Sequence, residues 1–344
     1  MTGRGSSLLS QFILLAIGAC TFSSSLWTQT SSQAADQNQS WTATTESQAD
    51  GASLTRTVES HTQSANRTLD NQSILRRGSD GRFQPYQDIE RTTVQIDAST
   101  VRTTTRTFGR DADGVKNLVQ ITEEEKHTRP GGGSSVVRST SNPDINGRLQ
   151  LVQREIAETK KISKDLEETK TTVLTPSVNG GLTPAFKLEE RRQTSANGNV
   201  EAQRTTLLPD GTGRWQVAEV RRATTTQDGK NSNTEEVVSR PDAEGKLTEV
   251  SRTVSKESGD SNGEKHDTVE TYNADVPGSA PDGRLHLVGR ATTAQQVNSK
   301  GTQATRTVQT RDANGDFGVV SVDTTKSDKT NPVHVQIAPS EPAK

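Results

Sequence analysis

The chain has 344 residues, of which 28% are hydrophobic and 3% aromatic, with a mean hydropathy of −0.80. An ordinary globular domain is roughly 45–50% apolar, so this composition excludes a thick hydrophobic core. The 41 basic and 43 acidic residues are interspersed and leave a net charge of −2, which excludes the electrostatic footprint of a nucleic-acid binder.

At the N-terminus, Arg4 precedes an apolar stretch from Phe12 to Gly18 and a Ser/Thr-rich run, the pattern of an export signal. The apolar part is too short for a permanent membrane helix. Two processing readings stand side by side. Ser32-Gln33-Ala34 offers small residues for a general signal peptidase, which makes residues 1–34 the signal peptide. Ile17-Gly18-Ala19-Cys20 resembles a bacterial lipobox, which makes 1–19 a lipoprotein signal and Cys20 the lipidation candidate. Cys20 is the single cysteine, so beyond Ala35 neither disulfides nor thiolate metal sites can hold the chain together.

Residues 35–80 read as a Ser/Thr/Gln-rich linker and a degenerate first repeat. From there a glycine closes a polar turn eight times, at Gly81, Gly114, Gly147, Gly180, Gly213, Gly245, Gly283 and Gly315. Subtracting neighbouring glycine numbers gives steps of 33, 33, 33, 33, 32, 38 and 32 residues, a period that marks a repeat array over 81–328. A large apolar residue follows most of these glycines two positions later, as in Phe83, Leu149, Trp215 and Phe317. Asp111 to Gly114, Asp144 to Gly147, Asp242 to Gly245 and Asp312 to Gly315 put Asp first and Gly fourth, suited to a type I turn with a left-handed glycine bulge. A second polar turn halfway through each unit, as at Gly131 to Gly133, Gly198, Gly229 and Gly301, makes each unit a long hairpin. Thr- and Val-rich spans between the turns suit strands of about 12 residues.

Apolar residues at the glycine end share a parity, as Leu149 with Leu151 and Trp215 with Val217, which predicts a stripe rather than a core. Val152, Val220, Val250 and Val288 fall on the opposite parity and suggest a second shallow layer. Between Leu149 and Thr172 no Gly or Pro interrupts, and Leu149, Val152 and Ile156 also fit helical spacing. The repeat register favours strands there, because Lys164-Asp165 stands where other units turn. Ser258 to Pro281 reads as a long inserted loop, and 329–344 as a flexible tail.

The fold class expected is therefore all-β, about eight long antiparallel hairpins forming an extended twisted sheet or a closed barrel or propeller-like array, with partial disorder as the alternative. The turn portions Asp144 to Leu149 and Pro281 to Leu285 are similar to those of Rhs/YD-type bacterial β-repeats. That resemblance is confined to turns: the family carries a Tyr before the Asp, a place that neither Tyr86 nor Tyr272 occupies, and its encapsulating function is not carried over.

The five histidines, at 61, 127, 266, 286 and 334, share no spacing with a Ser or Asp motif. Asp312, Asn314 and Asp316 resemble part of a calcium loop but lack the acidic residue that closes one, and turn geometry accounts for them. No catalytic, cofactor-binding or metal-ligating residue is assigned. An outer-membrane barrel needs a lipid-facing apolar band and aromatic girdles, and strands with Thr, Arg and Glu on both parities exclude it. The function expected is that of an exported, non-enzymatic envelope or secreted β-repeat protein, periplasmic, anchored at Cys20 or secreted, whose partner is a polar envelope component, glycan or protein. The competing class is an extracytoplasmic polysaccharide hydrolase with an unrecognised carboxylate site.

Overall fold

The computed structural model describes residues 39–47, 55–111, 113–259, 264–275, 283–298, 301–312 and 315–328. Cys20, both leader readings and the tail 329–344 lie outside them. Eighteen strands make one antiparallel sheet. In chain order they are β1 (Gln39–Ser47), β2 (Thr55–Ser64), β3 (Arg67–Arg77), β4 (Phe83–Gln95), β5 (Thr100–Arg110) and β6 (Lys116–Thr128). There follow β7 (Ser134–Pro143), β8 (Leu149–Lys161), β9 (Leu166–Pro176), β10 (Leu182–Thr194), β11 (Val200–Pro209) and β12 (Trp215–Asp228). The last are β13 (Asn231–Pro241), β14 (Leu247–Gly259), β15 (Glu264–Asn273), β16 (His286–Asn298), β17 (Gly301–Arg311) and β18 (Phe317–Asp328).

Each strand pairs with the next, so the array is a meander of hairpins. Among the described residues β1 also pairs with β18, at Thr44↔Asp328 and Thr45↔Ser327. The helical reading of Leu149 to Thr172 gives way to β8 and β9, which meet from Arg154↔Leu174 to Lys161↔Glu167. Pairing places Lys170 beside Glu158 and Thr169 beside Thr159, cross-strand matches that a helix would not make. The loop reading of Ser258 to Pro281 is likewise replaced over Glu264–Asn273, where β15 pairs with both neighbours. Residues 35–80 carry the full strands β1, β2 and β3.

The eight repeat glycines stand at one end of the sheet, with φ between 68° (Gly283) and 91° (Gly315). Their turns close as the Asp-first pattern requires: the Gly147 amide donates to the Asp144 carbonyl at 2.9 Å, and the Asp144 amide to the Arg148 carbonyl at 2.8 Å. A Cβ-free residue is needed there because L side chains clash at positive φ.

Five residues beyond each of these glycines the register slips by one. Val119 is the extra residue between Leu118 and Gln120, Val152 between Leu151 and Gln153, and Val250 between Glu249 and Ser251. Tyr86, Ala185, Ala218, Val288 and Val320 occupy the same place in the other units. A bulge exchanges the faces of all that follows. Val152, Val250 and Val288, assigned from parity to a second layer, are these bulge residues; Val220 lies on the same face as Val217, because the bulge at Ala218 intervenes.

The two faces differ in cover. Along β8, Gln153, Glu155, Ala157 and Thr159 are half-buried while Ile156, Glu158 and Lys160 are exposed. Along β12, Glu219, Arg221, Ala223 and Thr225 are half-buried while Arg222, Thr224 and Thr226 are exposed. Side chains converge on the concave side of a curved sheet, so the covered set is the inner face. The core is thin: among the described residues the buried apolar side chains are Val173, Val220 and Val238. The apolar stripe lies on the outer face at the glycine end, where cations cover its aromatic rings. Arg56 sits 4.1 Å from the Phe83 ring, Lys116 4.0 Å from Phe108, Lys187 4.2 Å from Trp215 and Arg290 5.8 Å from Phe317.

Candidate functional site

The surface able to meet a ligand is the inner face, which pairing assembles row by row. One row runs Thr93, Thr103, Glu124, Arg138, Glu155, Val173 and Phe186, each directly opposite the next on neighbouring strands. Arg138 donates to Glu124 at 2.6 Å and to Glu155 at 3.2 Å, so one guanidinium joins three strands. Arg221 on β12 bonds Glu219 of its own strand at 2.6 Å and Glu236 of β13 at 3.2 Å, joining two strands. Glu219 also accepts from Arg240 at 2.9 Å. Burial pushes the Glu219 carboxyl up, but its bonds to Arg221 and Arg240 outweigh this and hold it below the usual range. Between these groups, threonine hydroxyls bond across strands: Thr93 with Thr103 at 3.2 Å, Thr159 with Thr169 at 2.9 Å, and Thr225 with Thr234 at 2.9 Å. His61 and Asp70 meet at 2.6 Å on the same face.

One carboxylate pair breaks this pattern. Asp267 on β15 lies directly opposite Glu257 on β14, with Thr293 on its other side. Glu257 has Lys265 at 3.7 Å, whereas Asp267 Oδ1 is buried without a hydrogen-bond partner. Burial, then the charge of Glu257, pushes the Asp267 carboxyl up. The remaining named carboxylates of this face are salt-paired, the pattern of a scaffold rather than of an acid/base pair in a cleft. Among the described residues no cluster of three or more His, Cys, Asp or Glu side chains could hold a metal ion.

The eight turn glycines contribute backbone and no chemistry to this face, and stand together at its rim. The sequence signal for the inner charges was present, since Arg, Glu and Thr recur through the strands, as in Arg102 to Thr107 of β5 and Leu166 to Thr172 of β9. What was missing was the register that sets Arg138 between Glu124 and Glu155, and that register depends on bulges no single strand reveals.

No protein-family model and no curated protein matches the chain. Solved structures do. The outer membrane protein OpdK of Pseudomonas aeruginosa superposes with a TM-score of 0.56 at 7% identity, covering 85% of this chain and 98% of its own. P. aeruginosa OccK2 (OpdF), solved in complex with glucuronate, gives 0.55 at 9% identity over 84% and 94%. A BenF-like porin from Pseudomonas fluorescens Pf-5 gives 0.51 at 8% over 88% and 100%. The protein thus has the fold of porin-type β-barrels. A barrel was among the architectures expected from the sequence; what the composition argued against was a lipid-facing band, and the outer face is unlike one. Arg102 pairs with Glu125 there at 2.8 Å, and Lys170 with Glu189 at 3.8 Å, in mid-strand.

Proposed function

We propose that the protein is an exported, non-enzymatic envelope β-barrel, wetted on both faces, that binds small polar solutes on its inner face. The observation that carries this reading is the pairing of a porin-type fold with an inner face of salt-linked Arg and Glu separated by threonine hydroxyls. A solute carboxylate could exchange with the glutamates that Arg138 and Arg221 now hold, and the hydroxyls suit sugar-like ligands. The complex of OccK2 with glucuronate supports that solute class. Mid-strand charge on the outer face supports a place in the aqueous envelope or at the cell surface, with lipidation of Cys20 as the membrane link. The measurement is cell fractionation followed by calorimetry with glucuronate. Release of the Cys20→Ser chain from membranes by alkaline wash, where the unaltered chain stays in the pellet, together with binding that Arg138→Gln and Arg221→Gln weaken, is the expected outcome.

A second reading, an envelope channel through the membrane, is favoured by the eighteen-strand sheet, since barrels of 16 to 18 strands leave an aqueous lumen. Retention of the Cys20→Ser chain in the alkaline pellet and solute-dependent swelling of reconstituted liposomes would establish it in place of the first.

A further inference from the structure

On the inner face Arg138, Arg221 and Arg240 engage glutamates. Arg91 on β4 does not. Asp70 stands directly opposite it on β3, but Asp70 Oδ1 meets His61 Nδ1 at 2.6 Å instead. Among the described residues no group bonds the Arg91 side chain, which is exposed. On its other side the ladder carries hydroxyls: Thr105 of β5 lies opposite Arg91, Thr122 of β6 opposite Thr105, and Thr140 of β7 opposite Thr122. Thr122 and Thr140 bond each other at 3.4 Å, while the Thr105 hydroxyl has no partner among the described residues. The row belongs to the inner face, since each member stands two residues along its strand from Thr93, Thr103, Glu124 or Arg138. Arg192, set between Glu167 and Ala202, has no such hydroxyls beside it.

We propose that Arg91, Thr105 and Thr122 form a binding site for a sugar acid, with the carboxylate on the Arg91 guanidinium and the sugar hydroxyls on the threonines. The assignment rests on the reading that the inner face meets polar solutes, and gives that reading one place on the sheet. A guanidinium fork matches a carboxylate with two parallel N–H···O bonds, and at Arg91 no existing ion pair has to break first. Neighbouring strands lie about 4.8 Å apart, so Arg91, Thr105 and Thr122 fall within reach of a single sugar ring and its carboxylate. A threonine hydroxyl both donates and accepts, as the ligand hydroxyls do. Charge sets the class of anion. Arg91 is one unpaired positive charge, with Asp70 on one side and Glu124 two residues from Thr122 on the same face. It compensates a monoanion, whereas a doubly charged phosphate would face those two carboxylates with charge left over. Asp70 also sets the direction, because a bound anion is repelled from it toward Thr105 and Thr122. Arg138, two residues from Thr140, borders the far end of the row.

The test is calorimetry on the full chain with glucuronate and with cyclohexanecarboxylate, which keeps the ring and the charge but has no hydroxyls. Arg91→Gln is expected to weaken glucuronate about ten-fold or more, and Thr105→Val about three-fold, the sizes of a charged and a neutral hydrogen bond. The preference for glucuronate over cyclohexanecarboxylate should fall in Thr105→Val. Both variants should keep the parent melting temperature, since neither side chain bonds within the sheet. Glucuronate binding that Arg91→Gln leaves unaltered while Arg138→Gln weakens it would overturn this site and keep the broader reading of the inner face. A melt lowered by Arg91→Gln would assign the guanidinium to the fold and overturn the site as well. Equal losses for the two ligands in Thr105→Val would remove the hydroxyls from it. An unaltered chain that does not bind glucuronate would overturn the site and the broader reading together.

Discussion

The amide of Arg148 donates to Asp144 Oδ1 at 2.9 Å, closing the turn that precedes β8 from the side-chain side. The same bond joins Val115 to Asp111 at 2.8 Å, Arg214 to Asp210 at 3.1 Å and Lys246 to Asp242 at 2.8 Å. The carboxylate satisfies amides that the turn leaves without backbone partners. These bonds favour the ionised form, so Asp111 and Asp144 are held below the usual range by the amides of Val115 and Arg148, and Asp210 by the Thr212 hydroxyl. At the opposite end of the sheet, bonds from Ser99 and Thr100 bring Asp97 down to about 2.

Acid should therefore loosen many turns together. A carboxyl whose folded pKa is depressed stabilises the fold above its unfolded pKa and loses that contribution as pH falls through the folded value. The melting temperature is expected to hold above about pH 4, near the unfolded pKa of aspartate, and to fall progressively toward about pH 2. Asp144→Asn and Asp210→Asn should flatten that fall. A melt independent of pH across this window would reject the role of these carboxylates.

Gly147 separates conformational strain from steric fit. Its φ is +76°, and a Cβ built there meets nothing within 4 Å. Gly147→Val should cost about 1–2 kcal/mol from the left-handed backbone alone, and Gly147→Asn clearly less, since Asn tolerates that region. Equal denaturant midpoints for the two variants would show that the backbone conformation is not what the position selects.

Trp215 is the largest side chain of the outer stripe and is half-buried, with the Lys187 ammonium 4.2 Å from its ring. Trp215→Ala should cost about 2 kcal/mol, less than the 3–5 of a fully buried aromatic, because part of the ring already meets water. Lys187→Met keeps the aliphatic cover and removes the charge, and should cost about 0.5–1 kcal/mol. If the methionine variant proves as damaging as the alanine one, the cation over the ring rather than packing holds the stripe.

The parts of this fold legible in the sequence are those a single strand or turn determines. Positive φ at Gly81 or Gly245 demands glycine whatever lies across the sheet, so the period and the hairpins could be read directly. Features that need a partner strand could not. Val152 reads as a helical or second-layer residue until pairing shows Leu151 opposite Ser141 and Gln153 opposite Thr140. Tyr272 stands in a stretch whose turn spacing is irregular, yet Arg252 and Leu287 on its two sides place it in regular strand. The inner charges follow the same rule. Arg138 and Glu124 are 14 residues apart, and their contact comes from the β6–β7 register rather than from any motif.

Asp267 gives the sharpest test of the inner face because its surroundings work against its charge. Glu257 lies across the ladder, Thr293 supplies a neutral neighbour, and Lys265 sits 3.7 Å from Glu257. His266, next to Asp267 in sequence, pairs across the ladder with Ser258. Burial and Glu257 together raise the carboxyl above its unfolded value. A raised folded pKa means that the stabilising state is the protonated one, complete below the unfolded pKa and lost as pH rises through the folded pKa. At neutral pH the ionised Asp267 is therefore a net cost, and Asp267→Asn should raise the melting temperature there. The gain should shrink as falling pH protonates the native carboxyl. Asp267→Asn that lowers the neutral melt would mean that the charge is compensated, and would remove the like-charge pair as the weak point of the β14–β15 hairpin.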